Sequence, residues 1–205
     1  MKQVYFFSLA NQATFLRVLL TPVFYYYFFP TDKISAIICI SVFTIASITD
    51  WLDGFLARKM GTVSRLGKFL DPFADKVLTS AAFWAFYEIG LMQLWMVLII
   101  VIRDISLTLY RIYEEFKGKS IPANLFAKWK TAVQLITIYI VLTGITFPRI
   151  FADDQIITPI LTEILASDYL QILFLVVTFY TLISGLVYLY KDFVMNVKQS
   201  GSEDL

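Results

Sequence analysis

The sequence predicts an all-α integral membrane protein of six transmembrane helices, with an N-terminal interfacial segment and both termini on the cytoplasmic side. Three observations carry that expectation. Of 205 residues, 59% are hydrophobic and 17% aromatic, and the mean hydropathy of +0.71 lies far above that of a soluble domain of average composition. Apolar runs of about twenty residues, enough at about 1.5 Å per residue to cross a hydrocarbon core of about 30 Å, alternate with short polar connections. Finally, with the N-terminus in the cytoplasm, only Lys33 and Arg149 of the 17 lysines and arginines fall outside, a strong positive-inside bias.

Taken in order, residues 1–9 carry only Lys2 before aromatic and apolar side chains, which suits an interfacial segment and not a cleaved signal peptide. The first span runs from about Asn11 to Phe29 and ends at Pro30-Thr-Asp-Lys33. Asn11, Thr14 and Arg17 share one helical side, as an N-cap with a snorkelling arginine would, or as polar contacts to a ligand. The second span starts near Ile34, is apolar to Ile48 and continues as a helix carrying Asp50, Asp53 and Arg58. Residues 59–66 read as a short polar connection. Spans follow at about 68–89, 91–113, 124–147 and 169–194, with an outside loop over 148–168 that holds Asp153, Asp154, Glu163 and Asp168. No strand signal or repeat stands out. One six-helix domain covers 1–199, and 200–205 read as a frayed tail.

Composition also excludes chemistry. The chain has no histidine and one cysteine, Cys39, so histidine triads, zinc held by His or Cys, haem and an intrachain disulfide are ruled out. A net charge of +1 gives no global basic field, so nucleic acid is not an expected partner. Acid and base work falls to Asp, Glu, Lys, Tyr or a metal-bound water.

The chemistry concentrates in residues 50–76. Asp50, Asp53, Gly54 and Ala57 fall at i, i+3, i+4 and i+7 on one helical face, and Gly67, Asp71 and Asp75 fall at i, i+4 and i+8 on another. If the chain turns back between them, four carboxylates converge beside a wall with almost no side-chain bulk. Four aspartates facing lipid would cost roughly 10 to 14 kcal/mol, so they face a hydrated cavity or each other. Oxygen-only donors suit Mg²⁺, Mn²⁺ or Ca²⁺. Gly54 costs about 1 kcal/mol relative to alanine in a helix. Its use there implies a close approach, by a ligand or by another helix.

The run Asp50-x2-Asp53-Gly54-x2-Ala57-Arg58-x8-Gly67-x3-Asp71-x3-Asp75 matches, at every fixed position, the signature of the CDP-alcohol phosphotransferase family, which the chain resembles over nearly its whole length. The resemblance implies six helices and transfer of a phosphatidyl group from CDP-diacylglycerol, or of a phosphoalcohol from a CDP-alcohol, onto a hydroxyl with release of CMP. It implies Mg²⁺ or Mn²⁺, two ions, held by Asp50, Asp53 and Asp71, with Asp75 completing the metal shell or acting as the catalytic base. Asn11, Thr14, Asp53, Gly54, Ala57, Arg58 and Gly67 are the expected CDP contacts; Ala10 stands where the family often has proline. The family forms homodimers, and Ser184-Gly185 offers a close-packing point.

The acceptor is read from Arg103, Arg111, Lys128 and Lys130, basic groups suited to clamp an acceptor that carries its own phosphate. Positive-inside anchoring is the alternative for such residues and the main reading for Lys117 and Lys119; Arg103 has Asp104 beside it as a possible ion-pair partner. Within the family the pattern is similar to members that use sn-glycerol 3-phosphate, with phosphatidylglycerol as the alternative acceptor. An inner-membrane site facing the cytoplasm follows from the charge bias. An ion transporter is the competing class, but its acids are expected at the midplane between inverted repeats.

Overall fold

The computed structural model describes residues 9–60, 65–117, 125–154 and 156–203, with side chains described within 15–49, 73–74, 76–114, 116–117, 129–154 and 156–190. Among the described residues there are seven helices and no strand: α1 (Leu9–Phe28), α2 (Lys33–Met60), α3 (Arg65–Glu88), α4 (Leu94–Phe116), α5 (Leu125–Ile150), α6 (Ile157–Ala166) and α7 (Asp168–Glu203). Six of them are 20 to 36 residues long, so each extends about 30 Å or more. Helix α1 packs on both α2 and α3; α5 reaches α2, α3, α6 and α7; and α4 joins α3 to α7.

The core is aromatic at its centre and shared by six helices. Phe24 of α1 meets Phe43 of α2 at 5.2 Å between ring centroids, Phe43 meets Tyr139 of α5 at 5.3 Å, and Phe86 of α3 contacts Phe28 at 5.9 Å and Phe174 of α7 at 6.1 Å. Tilted and edge-on rings at these separations add to what their burial contributes. Met96, Val97 and Ile100 of α4 complete the packing with Ile138, Val141 and Leu142 of α5.

Each long helix divides into an apolar part, which supplies this core, and a polar part. In α4 the buried Met96, Val97 and Ile100 precede Asp104 and Thr108; in α7 Phe174 and Val177 precede Thr181 and Ser184; in α5 Lys130 and Gln134 precede Ile138 and Leu142. The polar segments are C-terminal in α4 and α7 and N-terminal in α5. The Asp104–Lys130 and Arg103–Ser184 contacts bring these segments together, so the polar groups of α4, α5 and α7 gather at one end of the bundle. The same holds in sequence for α1, polar at its start, α2, polar at its end, and α3, polar at its start.

The outside of the bundle is apolar. Ile102, Ile136, Phe179 and Leu186 are among many large hydrophobic side chains left exposed, more than a water-facing surface carries. Two helical stretches, Trp129–Ile150 and Asp168–Tyr190, are long and apolar enough to cross a membrane. Shorter apolar stretches occupy Phe15–Phe28 and Lys33–Thr49. In α4 the apolar run is interrupted by Arg103, Asp104 and Arg111.

Two features depart from the sequence expectation. The stretch read as an outside loop contains α6, whose start is fixed by Asp154: its Oδ1 accepts the N–H groups of Ile156 at 2.9 Å and Ile157 at 2.8 Å. Those two donors hold the Asp154 carboxyl below the usual carboxylate range. The tail expected at 200–205 is helical through Glu203, as the end of α7. The interfacial segment and the 59–66 connection fall largely on residues 1–8 and 61–64, which lie outside the described residues.

The ends of α1 and α3 are tied down by identifiable groups. Arg149 Nη1, at the end of α5, donates to the carbonyls of Phe28 at 2.9 Å and Pro30 at 3.0 Å, satisfying acceptors that α1 leaves open at its C-terminus. Helix α3 stops at Gly90, whose φ of +78° is the left-handed conformation glycine tolerates. Its N–H donates to Tyr87 O at 2.9 Å and that of Leu91 to Phe86 O at 3.0 Å. A Cβ at Gly90 meets nothing within 4 Å, so Gly90→Ala carries a purely backbone penalty of about 1–2 kcal/mol. Thermal unfolding in detergent should read that loss with transfer activity unchanged; an unshifted midpoint would show the turn relaxing at no cost.

Candidate active site

The four aspartates of the sequence motif fall on two helices that share two neighbours. Asp50 and Asp53 lie on the last turns of α2, with Gly54, Ala57 and Arg58; Asp71 and Asp75 lie on the first turns of α3, with Gly67. Both helices pack on α1 and on α5. Asn11 and Thr14 lie on the first turns of α1. The side chains of all these residues, and of Lys128, lie outside the described ones. Among the described residues no cluster of three metal-ligating side chains occurs.

A described cationic group lies on α4 and α5, two helices that pack on α3. On α4, Asp104 is buried to 3% exposure and its Oδ1 accepts from two cations at once: Lys130 Nζ of α5, itself 2% exposed, and Arg103 Nη1 at 3.1 Å. An acid in the middle of an apolar helix costs about 2.5–3.5 kcal/mol on insertion scales. Here it is stabilised by two partners, and the trio retains one positive charge in excess.

Helix α7 holds the other side of Arg103. Nη2 donates to Ser184 Oγ at 2.8 Å, and Ser184 Oγ donates in turn to the Thr181 carbonyl at 2.8 Å. With its proton committed to the helix backbone, the hydroxyl presents only lone pairs to the guanidinium. Arg103 Nε is buried without a hydrogen-bond partner among the described residues and lies against Gly185, where a Cβ would stand 3.0 Å from it. Deeper in the same seam, Gln134 Nε2 donates to Thr181 Oγ1 at 3.3 Å, while its Oε1 is buried without a partner among the described residues.

The members of this cluster differ in access. The Asp104 and Lys130 side chains are sealed, whereas that of Arg103 keeps 14% exposure. Of the three side chains, Arg103 is the most accessible. Lys76 of α3, the neighbour of Asp75 in sequence, is near enough to Lys130 for the two ammonium groups to repel.

Arg111 stands apart, two turns beyond Arg103 on α4. It is exposed, with Cζ 5.9 Å from the centre of the Tyr188 ring, which also meets Tyr110 edge-on at 6.4 Å. The four basic positions singled out in the sequence thus divide: Arg103 and Lys130 share Asp104, Arg111 packs over α7, and Lys128 is not described. Gln134 and Thr181 were not singled out in the sequence. Their signal was present in Lys130 and Gln134 at i and i+4 in an otherwise apolar run, facing Thr181 and Ser184 at i and i+3.

Comparison with known proteins agrees with the motif. The family model described as CDP-alcohol phosphatidyltransferase matches residues 7–183. The chain is 31% identical, over 91% of its length and 95% of the relative's, to the CDP-diacylglycerol--glycerol-3-phosphate 3-phosphatidyltransferase of Bacillus subtilis. It is 32% identical to a probable phosphatidylglycerophosphate synthase of Mycobacterium tuberculosis over 79% of each chain. A CDP-diacylglycerol--glycerol-3-phosphate 3-phosphatidyltransferase of Pseudomonas fluorescens is 35% identical over 67% of this chain and 73% of its own. With a matching model across most of the chain, the protein belongs to the CDP-alcohol phosphatidyltransferase family and is a transferase enzyme.

Proposed function

We propose that this enzyme transfers the phosphatidyl group of CDP-diacylglycerol to sn-glycerol 3-phosphate, giving phosphatidylglycerophosphate and CMP, in a metal-dependent reaction at the cytoplasmic face of the inner membrane. The observation that carries the acceptor is the Arg103–Asp104–Lys130 cluster, a site with surplus positive charge and one partly accessible guanidinium. A planar fork of N–H donors matches a phosphate. The names of the three relatives describe the same transfer.

In this reading the acceptor hydroxyl attacks the β-phosphorus of CDP-diacylglycerol, the bond from that phosphorus to the bridging oxygen breaks, and CMP leaves. Asp75 takes the hydroxyl proton or completes the cation site. Asp50, Asp53 and Asp71 would hold Mg²⁺ or Mn²⁺, which would supply charge neutralisation at the diphosphate. The donor chemistry fits, since a set of carboxylates without histidine or cysteine is what hard divalent ions take. Asn11, Thr14, Arg58 and the small residues Gly54, Ala57 and Gly67 take the cytidine and its phosphates, and a homodimer is part of the same reading.

Membrane spans at α4 and α7 are supported by where the aromatic residues fall, and cytoplasmic termini by the lopsided distribution of lysine and arginine along the sequence. Exposed Tyr169 and Tyr190 of α7 are 21 residues apart, about 31 Å along a helix. Trp95 and Tyr113 of α4 are 18 apart, about 27 Å. Aromatic side chains at such a spacing suit the two interfaces of a bilayer about 30 Å thick. Helix α4 thereby suits a span despite Arg103 and Asp104, which turn inward to α7 and α5.

The test is to give purified protein labelled CDP-diacylglycerol with glycerol 3-phosphate or phosphatidylglycerol in parallel and to identify the lipid. Phosphatidylglycerophosphate should form with the first alone, and cardiolipin from the second would overturn the assignment. Arg103→Lys, which keeps the charge and loses the fork, should raise KM for glycerol 3-phosphate about tenfold while leaving KM for CDP-diacylglycerol unchanged.

A further inference from the structure

We infer that Ser184 and Gly185 of α7 are positioning residues that aim the Arg103 guanidinium at the acceptor's phosphate. The inference rests on the function proposed above and names residues that set its acceptor specificity. A guanidinium on a flexible stem selects a phosphate only if its plane is fixed before the ligand arrives. Two of the three nitrogens of Arg103 are fixed: Nη1 by Asp104 at 3.1 Å and Nη2 by Ser184 at 2.8 Å.

Asp104 is the adjacent residue of the same helix and limits only one end of the fork. Ser184 is 81 residues away on α7 and turns the rotation of the guanidinium into a property of helix packing. Its own orientation is set by the bond it donates to Thr181. Gly185 supplies the room. A Cβ there would stand 3.0 Å from Arg103 Nε and 3.2 Å from Cγ, so the arginine stem lies directly against the α7 backbone. The close approach that a serine-glycine pair offers is thus taken within the chain, by α4.

Ser184→Ala leaves the volume nearly intact and removes the acceptor of Nη2. KM for glycerol 3-phosphate should rise about tenfold, the size of one lost hydrogen bond to a charged group. kcat and KM for CDP-diacylglycerol should stay within about twofold, which separates aiming from a general loss of structure. Ser184→Thr, which keeps the hydroxyl and its bond to the helix backbone, should restore the value. Gly185→Ala should raise the same KM by pushing the stem, and in an Arg103→Lys background Ser184→Ala should add less than about twofold.

A turnover-independent readout is the stabilisation of purified protein by glycerol 3-phosphate or inorganic phosphate in thermal unfolding. Ser184→Ala should need about tenfold more of either ligand for the same shift. Unchanged ligand dependence in Ser184→Ala overturns the inference, as does an equal fall in every kinetic parameter. If the wild type uses phosphatidylglycerol instead, the proposed function fails on its own, and KM of the variants for that phosphodiester decides this inference.

Discussion

Asp104→Asn is expected to destabilise the protein by about 3–5 kcal/mol and to remove most acceptor use, because it leaves two buried cations on a neutral amide. The geometry makes the cost specific. Lys130 has Asp104 as its hydrogen-bonding and ion-pair partner, and its side chain is 2% exposed, so it has no route to water in place of the lost charge. Arg103 keeps Ser184 and some exposure, and suffers less. The double variant Asp104→Asn with Lys130→Met removes one charge of each sign and should recover a large part of the loss, since exchanging a buried pair for neutral groups of similar volume is often close to neutral. Thermal unfolding in detergent reads the stability of all three variants. A cost for Asp104→Asn below about 1 kcal/mol, or a double variant no better than the single, would show that another anion balances the cluster.

This cluster shows what the sequence could and could not convey. The acidic motif was legible because helical periodicity alone places Asp50 with Asp53 and Asp71 with Asp75, and helices do form over both stretches. The break between the spans at about 68–89 and 91–113 was also legible, and Gly90, with its left-handed φ, stands at it. One partner of Asp104, Arg103, was legible as its pair; the other was not. Arg103 is its sequence neighbour, but Lys130 lies 26 residues away on another helix, and which side chains face each other across a helix pair depends on rotations and offsets that local patterns do not encode. Likewise Ser184-Gly185 reads in the sequence as a contact point for another helix, without saying which; the structure puts α4 there. Helix α6 is not legible because Asp154 is one of four acids in a stretch whose charge reads as loop. It is instead the group that accepts the first N–H donors of an apolar helix.

Asp71→Asn is expected to cut transfer by at least about a hundredfold, the scale on which metal sites respond to altered ligation, while leaving the bundle folded. The amide keeps the size and a carbonyl oxygen but brings no charge to the cation site. The fold should survive because α3 is anchored elsewhere, by Leu78, Ala82, Phe83 and Phe86 in the core. Loss of turnover alone would not separate a cation-holding carboxylate from a base, so the decisive measurement is thermal unfolding with and without Mg²⁺ or Mn²⁺. A ligand that binds only the folded state raises its stability in proportion to the logarithm of ligand concentration over Kd. The wild type should gain stability from the ion and Asp71→Asn should lose that gain at the same concentration. Asp75→Asn divides the two roles left open for the fourth acid. If Asp75 takes the proton from the acceptor hydroxyl, its amide variant should lose turnover and keep the ion-dependent stabilisation; if it completes the cation site, both should fall together. Retained turnover in Asp71→Asn would remove this carboxylate from the reaction, and with it the reading of α2 and α3 as the two halves of one cation site.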